Sequence, residues 1–375
     1  MRRLIAIVGI LMAAGILCGA AGLAILWFQH KQSVTLPQPS GLYPVGRMDF
    51  DWRDPSRIDP FAPAAGTPRE LTVWVWYPAI GAGGHGPAEY EPAPLRNALL
   101  RHMGPPLRLL THDLARVHAH ATRDANVSNA KATYPVVLFK PGIGALTLDY
   151  TSLAEDLASH GYIVAASDSP YSTAVVVYQD GRMVSRNRAG HPPDEGAPEP
   201  SQQTMNNVLR VWVDDEHFIV AQLERLNAGV FSGRLNLASV GAFGHSFGGA
   251  AALQFCVEDA RCKAAIDVDG IPFGDVVRGA NLSKPLLFIL SDHSNEPAAE
   301  TGPVHANIDA IRQQLPNRDN YLVLAGSRHF NFSDMALTKN TRIAKVVGLL
   351  GPIDERQALA TTSQWIRSFF DRYLH

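Results

Sequence analysis

The sequence predicts an α/β protein: a mainly parallel sheet with helices on both faces, preceded by one apolar N-terminal helix. Three observations point there. Short apolar runs rich in β-forming residues alternate with helix-forming stretches between Tyr134 and Tyr373, as in successive βαβ units. Gly244-His245-Ser246-Phe247-Gly248-Gly249 sits between one such run, Leu237–Phe243, and an alanine-rich segment, Ala250–Phe255. The third observation is a run from Leu4 to Phe28 without a charged residue.

That run would reach about 37 Å as a helix, beyond the roughly 30 Å hydrocarbon core of a bilayer. Arg2 and Arg3 precede it, which predicts a cytoplasmic N-terminus and a catalytic domain exported to the periplasmic or extracellular side. A cleaved signal peptide is the rival, but its apolar region is usually about 7–15 residues long. The leucine before Cys18 argues against a lipoprotein site. The expected division is therefore a signal anchor over residues 1–32, a linker over 33–40 and one catalytic domain over 41–375.

Within that domain, Arg47–Trp52 and Leu71–Tyr77 are expected as strands, the second ended by Pro78. Leucines at helical spacing from Leu95 to Val117, broken at Pro105-Pro106, predict two short helices. Tyr134–Phe139 is expected as a buried strand, Tyr150–Ser159 as a helix and Tyr162–Ala166 as the next strand. Residues 179–204 are polar, with Gly and Pro, and are expected as an excursion from the core. A long amphipathic helix, Val208–Leu226, leads to the strand before Ser246. Strands follow at Ala264–Val268, Pro285–Leu290 and Tyr321–Leu324, and a terminal helix at Ala358–Tyr373.

The Gly-x-Ser-x-Gly pattern between strand and helix is a nucleophile elbow, which makes the α/β-hydrolase fold the specific expectation. A tight strand-to-helix turn lifts the Ser246 hydroxyl above the sheet, and the helix N-terminus favours developing negative charge. Serine needs a base, which in this fold follows an acid in chain order. His329 lies in the loop after the last strand, where such sheets present functional groups; His293, His305 and His375 compete with it. For the acid, Asp267, Asp269 and Asp292 stand near strand ends and spacing does not separate them. Two backbone N–H groups should stabilise the oxyanion: Phe247 after the nucleophile, and Ile143 in Lys140-Pro141-Gly142-Ile143-Gly144, since Pro141 has no N–H.

The formal net charge of −2 carries no basic excess for nucleic acid. Cys256 and Cys262 are either a short-loop disulfide suited to an exported protein or two small buried residues. Neither has a histidine at metal-ligand spacing, so no metal and no cofactor is expected.

Three separated segments carry a resemblance: Gly244–Gly249, Glu155–Ala166 and Gly326–Phe332. Together they resemble the platelet-activating factor acetylhydrolases, of the plasma and intracellular type II branch, and their bacterial relatives. The resemblance covers roughly residues 41 to 335. It implies a calcium-independent serine esterase that removes short or oxidised acyl chains from the sn-2 position of phospholipids. It also implies Asp269 as the acid, one strand earlier than Asp292, and carries Ile143 and Phe247 onto the oxyanion donors. Lys140-Pro141-Gly142 stands where family members commonly have Ser-His-Gly, and Ser169–Asn206 matches poorly. The expected partners are thus an ester or phospholipid substrate and a membrane. A general carboxylesterase, lipase or polyester hydrolase is the alternative, followed by an acyltransferase and a catalytically inactive binding module.

Overall fold

The computed structural model describes residues 2–81, 86–192, 201–279, 282–294, 298–315 and 320–375. Along the chain, α1 (Arg2–His30) is followed by β1 (Val34–Thr35), β2 (Val45–Ile58), β3 (Pro68–Pro78), β4 (Pro87–Glu89), α2 (Ala93–His102), α3 (Pro105–Leu109) and β5 (Val117–Arg123). Next come β6 (Tyr134–Lys140), α4 (Thr151–Ser159), β7 (Ile163–Asp168), a hairpin of β8 (Val175–Val177) and β9 (Met183–Ser185), and α5 (Gln202–Asn227). The last part holds β10 (Leu235–His245), α6 (Phe247–Glu258), β11 (Cys262–Val268), β12 (Leu286–Leu290), α7 (Ala298–Arg312) and β13 (Tyr321–Val323). Helices α8 (Met335–Thr338), α9 (Thr341–Val346) and α10 (Glu355–Tyr373) close the chain.

The main sheet runs β1-β5-β2-β3-β7-β6-β10-β11-β12-β13, with β4 on β5. From β7 to β13 every neighbouring pair is parallel, while β3 is antiparallel to both β2 and β7. This is the α/β-hydrolase arrangement. Central strands are buried on both faces, which is why they read as unbroken apolar runs rather than alternating ones. The period of two nevertheless sorts their side chains. Val136, Leu138, Ala242 and Phe288 pack toward Trp212 and Leu223 of α5 and Phe255 of α6. Val137, Phe139, Phe243 and Ile289 pack toward Leu157 of α4 and Ile366 and Phe370 of α10. Each buried Val, Leu, Ile or Phe among them contributes about 1.5–3 kcal/mol by leaving water.

Register brings three strand ends to one edge. Gly244 pairs with Lys140 of β6 on one side and with Asp267 of β11 on the other. The loop after Lys140, Ser246 after His245 and Asp269 after Val268 therefore emerge side by side.

Some elements differ from expectation. Val117 opens β5 instead of ending a helix, and α7 and the β8–β9 hairpin were not anticipated. Helix α5 begins at Gln202, where the Ser201 side chain accepts from the Thr204 N–H at 3.1 Å. Its first turn is polar and exposed, so apolar periodicity could not reveal it. Residues 193–200 of the expected excursion lie outside the described residues. Val34–Thr35 pairs with β5 and Leu36 is buried, so the segment after α1 is packed on the body. Cys256 and Cys262 form a disulfide joining the end of α6 to the start of β11.

Helix α1 is apolar, and Ile10–His30 is long enough to cross a membrane. Its end is tied down: His30 Nδ1 lies 2.6 Å from the Thr111 carbonyl and Lys31 pairs with Asp113 at 2.9 Å.

Candidate active site

Ser246 stands between β10 and α6 at φ +56° and ψ −129°, a backbone conformation a β-carbon makes costly. Its N–H donates to the Val268 carbonyl at 2.8 Å, and its carbonyl accepts from the Gly249 N–H at 2.9 Å. The turn closes because its neighbours lack side chains. A Cβ on Gly248 would lie 2.1 Å from the Lys140 carbonyl oxygen, and one on Gly249 would lie 1.9 Å from the Asp267 carboxyl. Helix α6 thus seats directly on the loop after β6, with the Phe247 N–H at its first turn.

Asp269 and His329 meet beside it. The Asp269 backbone turns at φ +54° just past β11. Its Oδ2 is 2.7 Å from His329 Nδ1, and its Oδ1 accepts from the Ser291 N–H at 2.7 Å. His293 Nε2 approaches the same Oδ1 at 3.6 Å. Burial alone would raise the Asp269 carboxyl, but nearby His293 and the hydrogen bonds from His329 and the Ser291 N–H outweigh it and hold the group well below the usual carboxylate range. The carboxylate is ionised, and it fixes the proton of His329 on Nδ1, leaving Nε2 as the free base.

The other candidates lie apart from that contact. Asp292 accepts from the Gly326 N–H at 2.8 Å and the Ser294 N–H at 3.1 Å, so it ties down the start of the loop that carries His329. Asp267 is fully buried behind the elbow without a side-chain hydrogen-bond partner among the described residues. Burial, then the charge of Asp269, pushes its carboxyl well above the usual range, so it is neutral. His293 lines the cavity; His305 packs edge-on against His293 and meets the Tyr321 hydroxyl at 3.3 Å. His375 stacks near Tyr162, at the opposite end of the chain's last helix.

Ser246, Asp269 and His329 all border one cavity of about 830 Å³, together with Ile143 and Phe247. Its apolar wall includes Met205, Ile271, Phe273 and Leu349, and Arg328 lies at its border. In the loop after β6, the Gly144 N–H donates to the Ser172 carbonyl at 3.0 Å and the Ala145 N–H to the Gly142 carbonyl at 3.0 Å. Among the described residues the Ile143 N–H makes no backbone hydrogen bond. His245, Asp269 and His329 also cluster closely enough to suggest a metal site. Their atoms are committed to hydrogen bonds, however: His329 to Asp269, and His245 Nε2 to the His329 carbonyl at 2.9 Å, which requires a proton on that nitrogen. Sequence reasoning passed over His245 and Tyr150. His245 lay in plain view inside the elbow; Tyr150, whose hydroxyl lies 2.7 Å from His245 Nδ1, carried no signal, because only the fold brings it there.

A family model described as platelet-activating factor acetylhydrolase, isoform II, matches residues 95–192 and 200–375. The chain is 29% identical over 263 residues to a platelet-activating factor acetylhydrolase of Cavia porcellus, covering 64% of this chain and 58% of that protein. It is 27% identical over 256 residues to a probable 1-alkyl-2-acetylglycerophosphocholine esterase of Arthroderma benhamiae, covering 63% and 59%. The chain thus spans a little under three fifths of the length of these curated relatives. Among solved structures, a ferulic acid esterase from Streptomyces cinnamoneus superposes with a TM-score of 0.75 at 29% identity, over 92% of this chain and 94% of that one.

Proposed function

Because this chain belongs to the platelet-activating factor acetylhydrolase, isoform II, family, we propose that it is a serine ester hydrolase working through Ser246, His329 and Asp269. The observation that carries the reading is the 2.7 Å contact between Asp269 Oδ2 and His329 Nδ1 on the cavity that Ser246 borders. His329 Nε2 takes the Ser246 proton as the hydroxyl attacks the ester carbonyl. The Ile143 and Phe247 N–H groups hold the resulting oxyanion, and His329 returns the proton to the leaving alcohol. Water, activated by the same histidine, then releases the acid from the acyl-enzyme. Asp269 stabilises the imidazolium in both halves.

For the substrate, the relatives' names support esters of glycerophospholipids carrying short acyl chains. The wall of Met205, Ile271, Phe273 and Leu349 suits an apolar acyl group. A second reading, a carboxylesterase acting on aromatic acid esters, is favoured by the likeness to the ferulic acid esterase over nearly the whole of both chains. For the cell, we read residues 1–32 as a membrane anchor, 33–40 as a tether packed on the body and 41–375 as an exported catalytic domain. The apolar helix α1 and the Cys256–Cys262 disulfide, a bond of oxidising compartments, support this.

The test is hydrolysis of phospholipids of graded sn-2 chain length beside methyl ferulate and nitrophenyl esters. Higher kcat/KM on short sn-2 chains supports the first substrate reading, and preference for methyl ferulate the second. Detection of the catalytic domain on the cytoplasmic side by protease protection overturns the proposed orientation.

A further inference from the structure

His245, the residue between Gly244 and Ser246, is buried and makes two side-chain hydrogen bonds. Nε2 lies 2.9 Å from the His329 carbonyl oxygen, and Nδ1 lies 2.7 Å from the Tyr150 hydroxyl. A carbonyl oxygen only accepts, so Nε2 carries the proton, and Nδ1 must then accept from the Tyr150 O–H. The two imidazole rings also lie face toward face, with centroids 4.4 Å apart at 38°. A directed chain therefore runs from the Tyr150 hydroxyl through the His245 ring to the backbone of His329. It joins the turn that follows the loop of Ile143, the nucleophile turn and the loop of the base.

We propose that His245 and Tyr150 are positioning residues that hold His329 in register with Ser246 and the oxyanion loop. The proposal rests on the Ser246–His329–Asp269 reading and adds the device that sets its geometry. Burial, with His329 beside it, pushes His245 down to about 3, so the ring stays neutral and the tautomer persists across the pH range of ester hydrolysis. A neutral partner also avoids opposing the imidazolium that forms on His329 during turnover. Neither residue takes part in bond making. Their effect belongs to kcat, because misplacing a reacting group by about 1 Å costs on the order of a hundredfold.

The experiment compares full-length His245→Phe, His245→Gln, Tyr150→Phe and His245→Phe/Tyr150→Phe on one soluble ester. His245→Phe should lower kcat by about ten- to a hundredfold with KM within about twofold. His245→Gln, whose amide N–H can replace Nε2–H, should recover most of that loss. Tyr150→Phe removes only a hydroxyl and should lower kcat less; in the His245→Phe background it should cost almost nothing further, since the chain is already cut. Wild-type kcat in His245→Phe, or a full second loss when Tyr150→Phe is added to it, overturns the proposal. So does a His245→Gln rate no better than that of His245→Phe. If His245→Phe does not fold, Tyr150→Phe and His245→Gln still decide the matter through the split between kcat and KM. Ser246→Ala, assayed alongside, separates the two levels: its inactivity with unchanged positioning variants removes only the positioning role, whereas its activity removes the nucleophile reading itself.

Discussion

The nucleophile side of the site and the base side are held by different forces. Around Ser246 the turn is fixed by backbone contact: α6 presses on the loop after β6 so closely that a single added carbon at Gly248 would sit 2.1 Å from a carbonyl oxygen. Around His329 the geometry is fixed by hydrogen bonds reaching across the sheet edge. Asp269 holds the ring at 2.7 Å, Asp292 holds the loop through Gly326 at 2.8 Å and His245 holds the backbone at 2.9 Å. Steric closure is all or none, and the glycines that permit it sit within one short turn. A hydrogen-bonded assembly is graded, and its parts are drawn from residues 245 to 329. The first kind should fail abruptly when altered and the second by degrees.

The largest expected effect tests the nucleophile itself. Ser246→Ala should lower turnover by about a millionfold while leaving the melting temperature near wild type, and labelling by a fluorophosphonate probe should vanish; retained esterase activity would remove Ser246 from the mechanism. On the base side, Asp269→Asn should lower kcat by about ten-thousandfold, because the amide favours the wrong tautomer of His329. Asp292→Asn keeps one acceptor oxygen for the loop and should lower kcat by less than about tenfold. Collapse at Asp292 with a mild effect at Asp269 would exchange their roles. Gly248→Ala probes steric closure without touching any reacting group. Forcing α6 away from Lys140 displaces the Phe247 N–H, and losing one oxyanion donor costs about 10²–10³ in kcat. A wild-type rate in Gly248→Ala would show that the elbow yields, and the contrast between the two sides would disappear.

The same contrast explains what could be read from the chain. The elbow was legible because steric closure demands glycines at fixed spacing around one serine, and the parallel core was legible because strands buried on both faces are apolar runs. His329 was legible only through chain order. Asp267, Asp269 and Asp292 could not be separated by spacing, since what distinguishes them is whether each side chain meets a histidine, a backbone N–H or nothing. Resemblance pointed to Asp269, and the structure places its carboxylate on His329. Helix α7 escaped notice because its residues lack a continuous apolar stripe, and β8 because its apolar run, Ala174–Tyr178, is short and pairs only with the three-residue β9 outside the main sheet. Tyr150 could not have been found at all, as its role arises from a hydroxyl aimed at a residue far along the chain.

Asp267 carries the contrast to its smallest measurable effect. It lies two residues before Asp269, yet the two carboxyls are driven in opposite directions: hydrogen bonds hold Asp269 low, while burial and the charge of Asp269 drive Asp267 up. A carboxyl raised on folding contributes stability that is fully present below its unfolded value of about 3.9 and is lost as pH rises toward the folded one. Asp269, depressed on folding, contributes stability that is present above that unfolded value and lost as pH falls. Asp267→Asn replaces a neutral acid by a neutral amide of similar shape, packed against the closed turn. Its melting temperature relative to wild type should therefore rise between pH 5 and pH 8, by about 1–3 °C, with kcat within about threefold. A melting temperature that falls below wild type more steeply at pH 8 than at pH 5 would mean that Asp267 is ionised and paired in the fold. The nucleophile side would then rest on an electrostatic contact as well as on steric closure, which would bring it nearer in kind to the side that holds His329.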